Sequence, residues 1–479
     1  MAEQTLKEKT SKGLFWGGMS SSVQQLLNVL FGILLARTLS PDDYGLVGVL
    51  AVFSILAQII QDGGFISALI NRPAYHHEDY NAVFWFSVIV SLACYIFLFF
   101  AAPLIADFFH QPILVKLARW SFVGFVFSGI GIAPRAFLSK YLKIKQMAIS
   151  NIVAVTLSGL IGVFLALHGF QYWALVVQSL VLVGVTNFGY CLFSEWKPSF
   201  SITFSPVREM FGFALPLFIT GVFSVANSQL MTVILGRRYS PEQTGYYSQA
   251  NKWALMGSNV MNGMVNTLAQ PVLSEVVDEG ERHLRVFRKL IRFTSFVSFP
   301  ALLGLGLIVP EFIILALSSK WTDSILMLQI LCVSGSFIPL TTICSQLVLS
   351  KGKSYTFMWV QIMLFIFVLA AAFLLYPFGI LAMLIGVSTI NVIWLFVWVF
   401  FVNRETGYTF RGFLSDILPY FMISVFVMAS TFFMTQGFDN LAIRLVMKVL
   451  IAFFLYVFVM WATKSVIFKE SIQFIIKKH

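Results

Sequence analysis

Long runs of apolar residues follow one another along almost the entire 479-residue chain, and they leave few folds open. They cover residues 13–36, 44–70, 81–105, 115–138, 146–168, 172–194, 211–236, 246–273, 293–317, 324–349, 355–376, 379–402, 414–435 and 441–463, here spans 1 to 14. Each approaches or exceeds the ~20 residues a helix needs to cross a hydrocarbon core. Barrel strands are excluded, because these carry only ~10 residues in strict alternation. Charged residues make up only 11% of the chain, against roughly 25% in soluble domains. Lipid is therefore the solvent for most of the surface, and no room remains for a large soluble domain. Span 1 follows a polar segment, begins with polar positions and has no small-residue cleavage site, so it reads as an uncleaved span and not a signal peptide.

Lys and Arg set the orientation. With the N-terminus on the cytoplasmic side, most of the 32 basic residues fall in inside segments, among them Lys140, Lys143 and Lys145, then Arg282, Arg285, Arg288, Lys289 and Arg292, then Lys464, Lys469, Lys477 and Lys478. The outside segments hold few, including Arg37, Arg119, Arg237, Lys320, Arg444 and Lys448. Both termini are thus expected to be cytoplasmic. The net charge of +11 is spread over short loops that meet anionic lipid heads, and it does not point to nucleic acid. The inside stretch 274–292, SEVVDEGERHLRVFRKLIR, is charge-rich and is expected to form an amphipathic surface helix.

The segment LARTLSPDDYG at 35–45 realigns without gaps on LGRRYSPEQTG at 235–245. Leu, Arg, Ser, Pro and Gly are shared, and Asp62-Gly63 faces Asn262-Gly263 at the same offset of 200. Six spans separate the copies, an even number, so the halves share one orientation. Such parallel repeats are related by an axis along the membrane normal, and transporters place substrate between them. Locally the motif reads as helix capping: Ser40 and Ser240 cap, Pro41 and Pro241 suit the first turn, Asp42 and Glu242 oppose the dipole, and Gln243 suits a capping box. Arg37 and Arg237 close the preceding spans. They either complement the helix dipole or form a paired anion contact at the outer mouth.

Span 8 holds Ser248, Lys252, Asn259, Asn262, Asn266 and Gln270 at steps of three, four and seven, along one helical face. Span 1 carries Ser21, Gln24, Gln25 and Asn28, span 2 Ser54, Gln58, Gln61 and Asp62, and span 7 Thr220, Ser224, Asn227 and Ser228. Two readings stand: interhelical hydrogen bonding, or a hydrophilic central cavity lined by spans 1, 2, 7 and 8, since such a face is costly in lipid. Amides and hydroxyls suit sugar hydroxyls. Lys252, ~10 Å below the outer end at 1.5 Å per residue, suits a phosphate, and snorkelling to the interface is its alternative. Asp62 suits a coupling cation or proton, with a charge pair to Arg72 as the alternative. Pro216, Pro300, Pro310 and Pro339 are placed to bend helices. Cys94, Cys191, Cys332 and Cys344 form no CxxC pair and read as apolar core residues, and no metal-spaced cluster, phosphate-cradling glycine loop or nucleophile–base pair is present.

Five motifs in order, LLARTLSPDDYG, QDGGFISALINRP with Asp62, Gly63 and Arg72, HGFQYWALVVQSL with Gly169, Trp173 and Gln178, GYYSQANKW with Gly245 and Lys252, and SSKWTDSILMLQILCVSG with Lys320 and Trp321, are spread along most of the chain. Together they resemble the polysaccharide transporter family of the multidrug/oligosaccharidyl-lipid/polysaccharide flippase superfamily. The resemblance implies an all-α integral membrane fold of about 14 transmembrane helices, with two parallel-repeat six-helix lobes around a central cavity and two added C-terminal helices. The lobes are expected over 1–200 and 201–403, and helices 13 and 14 with a cytoplasmic tail over 404–479.

The implied function is a flippase of the bacterial cytoplasmic membrane that moves polyprenyl-diphosphate-linked oligosaccharide units by alternating access for surface polysaccharide biosynthesis, with no enzymatic role and no cofactor beyond H+ or Na+ coupling at Asp62. A peptidoglycan-precursor flippase and a cation-coupled multidrug exporter are the alternatives on the same fold; the exporter is disfavoured because span 1 lacks an acid. Cationic cavity residues are implied to meet the diphosphate: Lys252 first, then Arg37, Arg237 and Arg119. Asn259, Asn262, Asn266, Gln25, Asn28, Gln58, Asn227 and Ser228 complete the candidate substrate contacts. Implied partners are the lipid-linked oligosaccharide, membrane lipids, a polysaccharide polymerase and glycosyltransferases.

Overall fold

The computed structural model describes residues 2–62, 64–71, 76–200, 203–275, 280–465 and 467–470. Each apolar span becomes helix, because a backbone in lipid must satisfy its own N–H and C=O groups. The helices are α1 (Ala2–Thr38), α2 (Pro41–Asp62), α3 (Phe65–Asn71), α4 (His77–Phe108), α5 (Leu114–Ser121), α6 (Val123–Lys140), α7 (Ile144–Leu167), α8 (Tyr172–Phe193), α9 (Ser205–Arg238), α10 (Pro241–Glu275), α11 (Gly280–Phe312), α12 (Ser324–Gly335), α13 (Ile338–Ser350), α14 (Ser354–Leu375), α15 (Ile380–Thr406), α16 (Phe410–Thr435) and α17 (Leu441–Ala462). Among the described residues, thirteen are long and apolar enough to cross a membrane once broken helices are joined. The polar face of α10 keeps it out of that count while leaving it 35 residues long, so the fourteen spans of the sequence survive as fourteen long helical paths.

Three spans are broken. Span 2 divides into α2 and α3 around Gly64, whose φ of +79° suits glycine. Span 4 divides at Phe122 and span 10 at Ser336–Phe337, ahead of Pro339, which fits the first turn of α13. These two breaks fall in the fourth helix of each repeat. Pro300 and Pro310 sit inside α11, which ends in a wide turn at Ile313–Leu317.

The chain packs as two compact units, Met1–Gly245 and Tyr246–His479. In the first, α7 packs on α1 and α8, α6 on α4 and α8, and α9 on α2. One core cluster gathers Leu69, Tyr80, Val83, Ala133, Ala136 and Trp196. A second gathers Leu50, Ala102, Leu114, Leu117, Phe122 and Val176. In the second unit, α11 packs on α12 and α16, and α17 packs on α16 and α11.

Ser40 and Ser240 cap the following helices as the sequence predicts, but among the described residues the capping box closes on Asp43 and not on Gln243. The Ser40 N–H and Oγ donate to Asp43 Oδ2 at 2.9 and 2.8 Å, and Asp43 N–H donates back to Ser40 Oγ at 3.3 Å, closing a capping box. Ser240 Oγ accepts from Gln243 N–H at 3.2 Å. The two first turns also meet each other: Asp42 accepts from the backbone N–H of Glu242. A Cβ on Gly45 would run into the Pro241 carbonyl, and a Cβ on Gly245 into the Pro41 carbonyl. The shared glycine of the repeat is therefore a reciprocal backbone contact, a small-residue crossing of the kind membrane helices favour. Gly45→Ala is expected to cost about 1–3 kcal/mol, read as a lowered unfolding midpoint in detergent. An unchanged midpoint would show that the two helices separate freely.

The stretch 274–292 is corrected by the structure. Its described residues 280–292 are the opening turns of α11, which continues into the membrane, and not a separate surface helix. Arg288 and Arg292 turn inward to Asp416 of α16, because a buried carboxylate recruits the nearest cations. Asp416 is 2% exposed. It accepts from Arg288 Nε at 2.7 Å and Arg288 NH2 at 3.0 Å, from Arg292 Nε at 2.7 Å, and from the Tyr408 hydroxyl at 2.5 Å. Burial, reinforced by the hydrogen bond to Asp416, pushes the Tyr408 phenol far above its ordinary range and keeps it a donor. Lys448 is likewise no loop cation. It lies in the second turn of α17, buried, and donates to Glu311 Oε1 of α11 at 2.7 Å and to the Leu307 carbonyl at 3.1 Å. Each of the last two helices is thus fastened to α11 by a buried ion pair.

Candidate functional site

The polar faces of spans 1, 2, 7 and 8 appear on α1, α2, α9 and α10. Asn28, Gln58, Ser228 and Asn259, one on each helix, are all exposed. Among the described residues none of the four makes an interhelical hydrogen bond. On α1 the exposed Leu26 (71%) and Leu30 (52%) project ~200° of helix rotation from Asn28, at ~100° per residue. That helix therefore presents two open faces, one apolar and one polar. The apolar face suits lipid. The polar face suits water, since an exposed amide in hydrocarbon loses its hydrogen bonds.

Other stripe residues are engaged locally. Gln24 donates to Ser20 Oγ at 2.8 Å, and Ser228 Oγ donates to the Val225 carbonyl at 3.0 Å. Gln25 and Lys252 are half-buried, and both carry further interactions. Asn227 has a buried Oδ1 with no hydrogen-bond partner. Asn262 and Asn266 fall on α10 and Asp62 ends α2; their side chains, like Arg72 as a whole, lie outside the described residues. Gln249, which the spacing leaves beside the stripe, is fully buried, and neither amide atom is hydrogen-bonded. Its neighbour Ser248 has a buried Oγ in the same state. The top of α10 thus carries more unspent polar capacity than its periodicity indicates.

The three arginines have defined surroundings. Arg37 lies exposed in the last turn of α1. Arg237 lies in the last turn of α9, contacts His110 Nε2 and places its guanidinium 5.1 Å from the Phe108 ring centre. Arg119 sits in α5 with its guanidinium 4.4 Å from the Phe99 ring centre, and its Nε is buried without a hydrogen-bond partner. Arg237 and Arg119 are stacked on aromatic faces, a geometry that stabilises the cation and restricts its reach. Lys252 is the member of the set on the α10 polar face.

An opening of about 550 Å3 lies between α11, α16 and α17. Its walls are apolar, including Pro300, Leu305, Met428, Ala452 and Phe453, apart from Lys448 and Tyr456. It suits hydrocarbon and offers little to a polar group. Among the described residues, no three His, Cys, Asp or Glu side chains gather in a metal-holding group.

Residues 34–326 match the family described as polysaccharide biosynthesis protein. The lipopolysaccharide biosynthesis protein WzxC of Escherichia coli (strain K12) is 26% identical over 356 residues, 73% of this chain and 71% of that protein. The succinoglycan biosynthesis transport protein ExoT of Rhizobium meliloti (strain 1021) is 24% identical over 421 residues, 87% of this chain and 83% of that protein. The solved lipid II flippase MurJ, in an inward closed conformation, has the same fold: its TM-score is 0.79 at 16% identity, over 93% of this chain and 99% of that one. A membrane fold of fourteen long helices, a duplicated capping loop and a family match across more than half of the sequence agree: the chain belongs to the polysaccharide biosynthesis protein family and is a polysaccharide transporter of the flippase superfamily.

Proposed function

We infer that this protein translocates polyprenyl-diphosphate-linked oligosaccharide units across the bacterial cytoplasmic membrane by alternating access, with both termini cytoplasmic. The observation that carries the reading is an exposed polar side chain on each of α1, α2, α9 and α10, namely Asn28, Gln58, Ser228 and Asn259, with the half-buried Lys252 as the cation of the α10 stripe. Amides and hydroxyls exchange water for sugar hydroxyls at little cost. A single ammonium on a long stem can follow a diphosphate as a point charge. Lobes over 1–200 and 201–403, with 404–479 appended, follow the repeat. A polysaccharide polymerase and glycosyltransferases are the expected partners before and after translocation. Asp62 is the candidate for H+ or Na+ coupling.

The test is transport in proteoliposomes loaded with a lipid-linked oligosaccharide. Lys252→Ala is expected to reduce transport by roughly 10- to 100-fold, the equivalent of ~1.5–3 kcal/mol for a hydrogen bond to a charged group. Lys252→Arg should retain most of it. Full activity in both variants would remove Lys252 from the phosphate contact. In cells, loss of the gene should strand repeat units on the inner leaflet; normal polymer without stranded intermediate would count against the function itself. The likeness to the MurJ fold favours a second reading, a peptidoglycan-precursor flippase, which rescue of a strain lacking its own such flippase would support.

A further inference from the structure

The Met1–Gly245 unit contains a polar cavity of its own, of about 380 Å3, between α2, α3, α6 and α8. Gln58, Gln61, Ser128, Arg135, Thr186 and Asn187 face it, with Tyr190 at its wall. Gln61 is 1% exposed, and neither its Oε1 nor its Nε2 is hydrogen-bonded. A buried amide with both ends unused is rare and marks a group that something else must satisfy. Arg135 has no carboxylate partner among the described residues, so its charge is open to a ligand. Asn187 donates its Nδ2 to the Val183 carbonyl at 2.8 Å, which leaves its Oδ1 as an acceptor. That side chain occupies the space over Gly131, where any Cβ would collide with it. Tyr190 is held by its hydroxyl on Asn151 Oδ1 at 2.8 Å.

The donors are chemically selective. A guanidinium takes two oxygens of a phosphate or carboxylate, while amides and hydroxyls pair with ring hydroxyls. Among the described residues no acidic side chain lines the cavity. The volume lies within the ~300–1,000 Å3 usual for small-molecule pockets. Arg135 and Tyr190 sit near the ends of α6 and α8 that lead to the basic residues Lys140, Lys143 and Lys197, and Gln61 sits near the end of α2.

We propose that this cavity is a sugar-phosphate site, distinct from the α10 polar face, formed by Arg135 for the phosphate and by Gln61, Asn187 and Thr186 for the sugar. It rests on the flippase reading in so far as the phosphorylated sugar nearest the carrier lipid is its intended occupant. A soluble sugar phosphate presents the same chemistry.

The purified full chain in detergent is titrated calorimetrically with glucose 1-phosphate, glucose and inorganic phosphate. Saturable binding of glucose 1-phosphate is expected, at least tenfold tighter than of the other two. Arg135→Gln should weaken it at least tenfold, with partial recovery in Arg135→Lys. Gln61→Leu should weaken it at least threefold without lowering the unfolding midpoint, because it replaces an unsatisfied amide with an apolar side chain of similar size. Absence of saturable binding to the wild-type chain, or equal affinity in all variants, would overturn the proposal. Displacement by undecaprenyl-diphosphate-glucose in nanodiscs would assign the lipid as the source; no displacement would assign the soluble compound, and the site stands in both cases. Glucose 1-phosphate binding without transport of lipid-linked oligosaccharide sinks the flippase reading alone, and transport without that binding sinks the cavity alone.

Discussion

Asp416→Ala is expected to destabilise the protein by about 3 kcal/mol, the low end of the cost of breaking a buried ion pair. The low end applies because Arg288 and Arg292 keep 38% and 37% of their side chains exposed and recover part of their hydration. The loss has three sources. Two guanidinium groups on adjacent turns of α11 are left facing each other without an anion, the Tyr408 hydroxyl loses its acceptor, and α16 loses its fixed point on α11. Asp416→Asn retains an acceptor for Tyr408 without the charge and should fall between wild type and alanine. Arg288→Met should cost less than Asp416→Ala, because Arg292 still neutralises the carboxylate. Apparent unfolding midpoints followed by tryptophan fluorescence rank the three. Equal midpoints for Asp416→Ala and wild type would mean that the arginines are fully served by water and that the cluster does not fasten the helix.

Lys448→Met tests the second fastening and has the larger expected effect, about 3–5 kcal/mol. Both partners are almost fully enclosed, with side-chain exposures of 4% and 3%. Removing the ammonium leaves Glu311 with no counter-charge among apolar neighbours, and its Oε2 already lacks a hydrogen bond. The double variant Lys448→Met with Glu311→Met should recover most of the loss, because a buried pair replaced by packed apolar side chains is often neutral. If the double variant is as unstable as the single one, the stabilisation comes from the shape of the lysine stem and not from the charge pair. Activity gives a separate readout: a pair that only holds α17 in place should change yield and midpoint together while leaving transport per folded molecule intact.

The sequence already carries the position of the fourteen membrane spans, though not the full length of helices such as α11, because partition into lipid is summed residue by residue along a local segment. It also carries the capping of α2 and α10, since Ser40, Asp43 and Ser240 act within one turn of their own helices. The offset of 200 exposes the duplication. The polar faces are legible as periodicity, and the exposure of Asn28, Gln58, Ser228 and Asn259 agrees with them.

The missed features have no local signature. Arg288 and Asp416 stand 128 positions apart, and Lys448 and Glu311 137 apart. Hydropathy and spacing place each charge on a helix but not the rotation of that helix against its neighbours. Arg288 and Arg292 therefore read as loop cations and Lys448 as an outer-face charge, when each completes a buried pair. The breaks in spans 4 and 10 are equally silent, because an apolar run reads the same whether its helix is continuous or hinged at Phe122 or Phe337. Gln61 appears in the sequence as one more polar residue of a stripe. Only the packing of α2, α3, α6 and α8 encloses it with Arg135 and leaves its amide unpaired. The linear pattern determined that this chain spans the membrane as a duplicated helical transporter, since burial in lipid is a property of segments. Which charges pair, where helices break and which amides line a cavity were decided by the tertiary structure, since these depend on the mutual rotation of helices far apart in the chain.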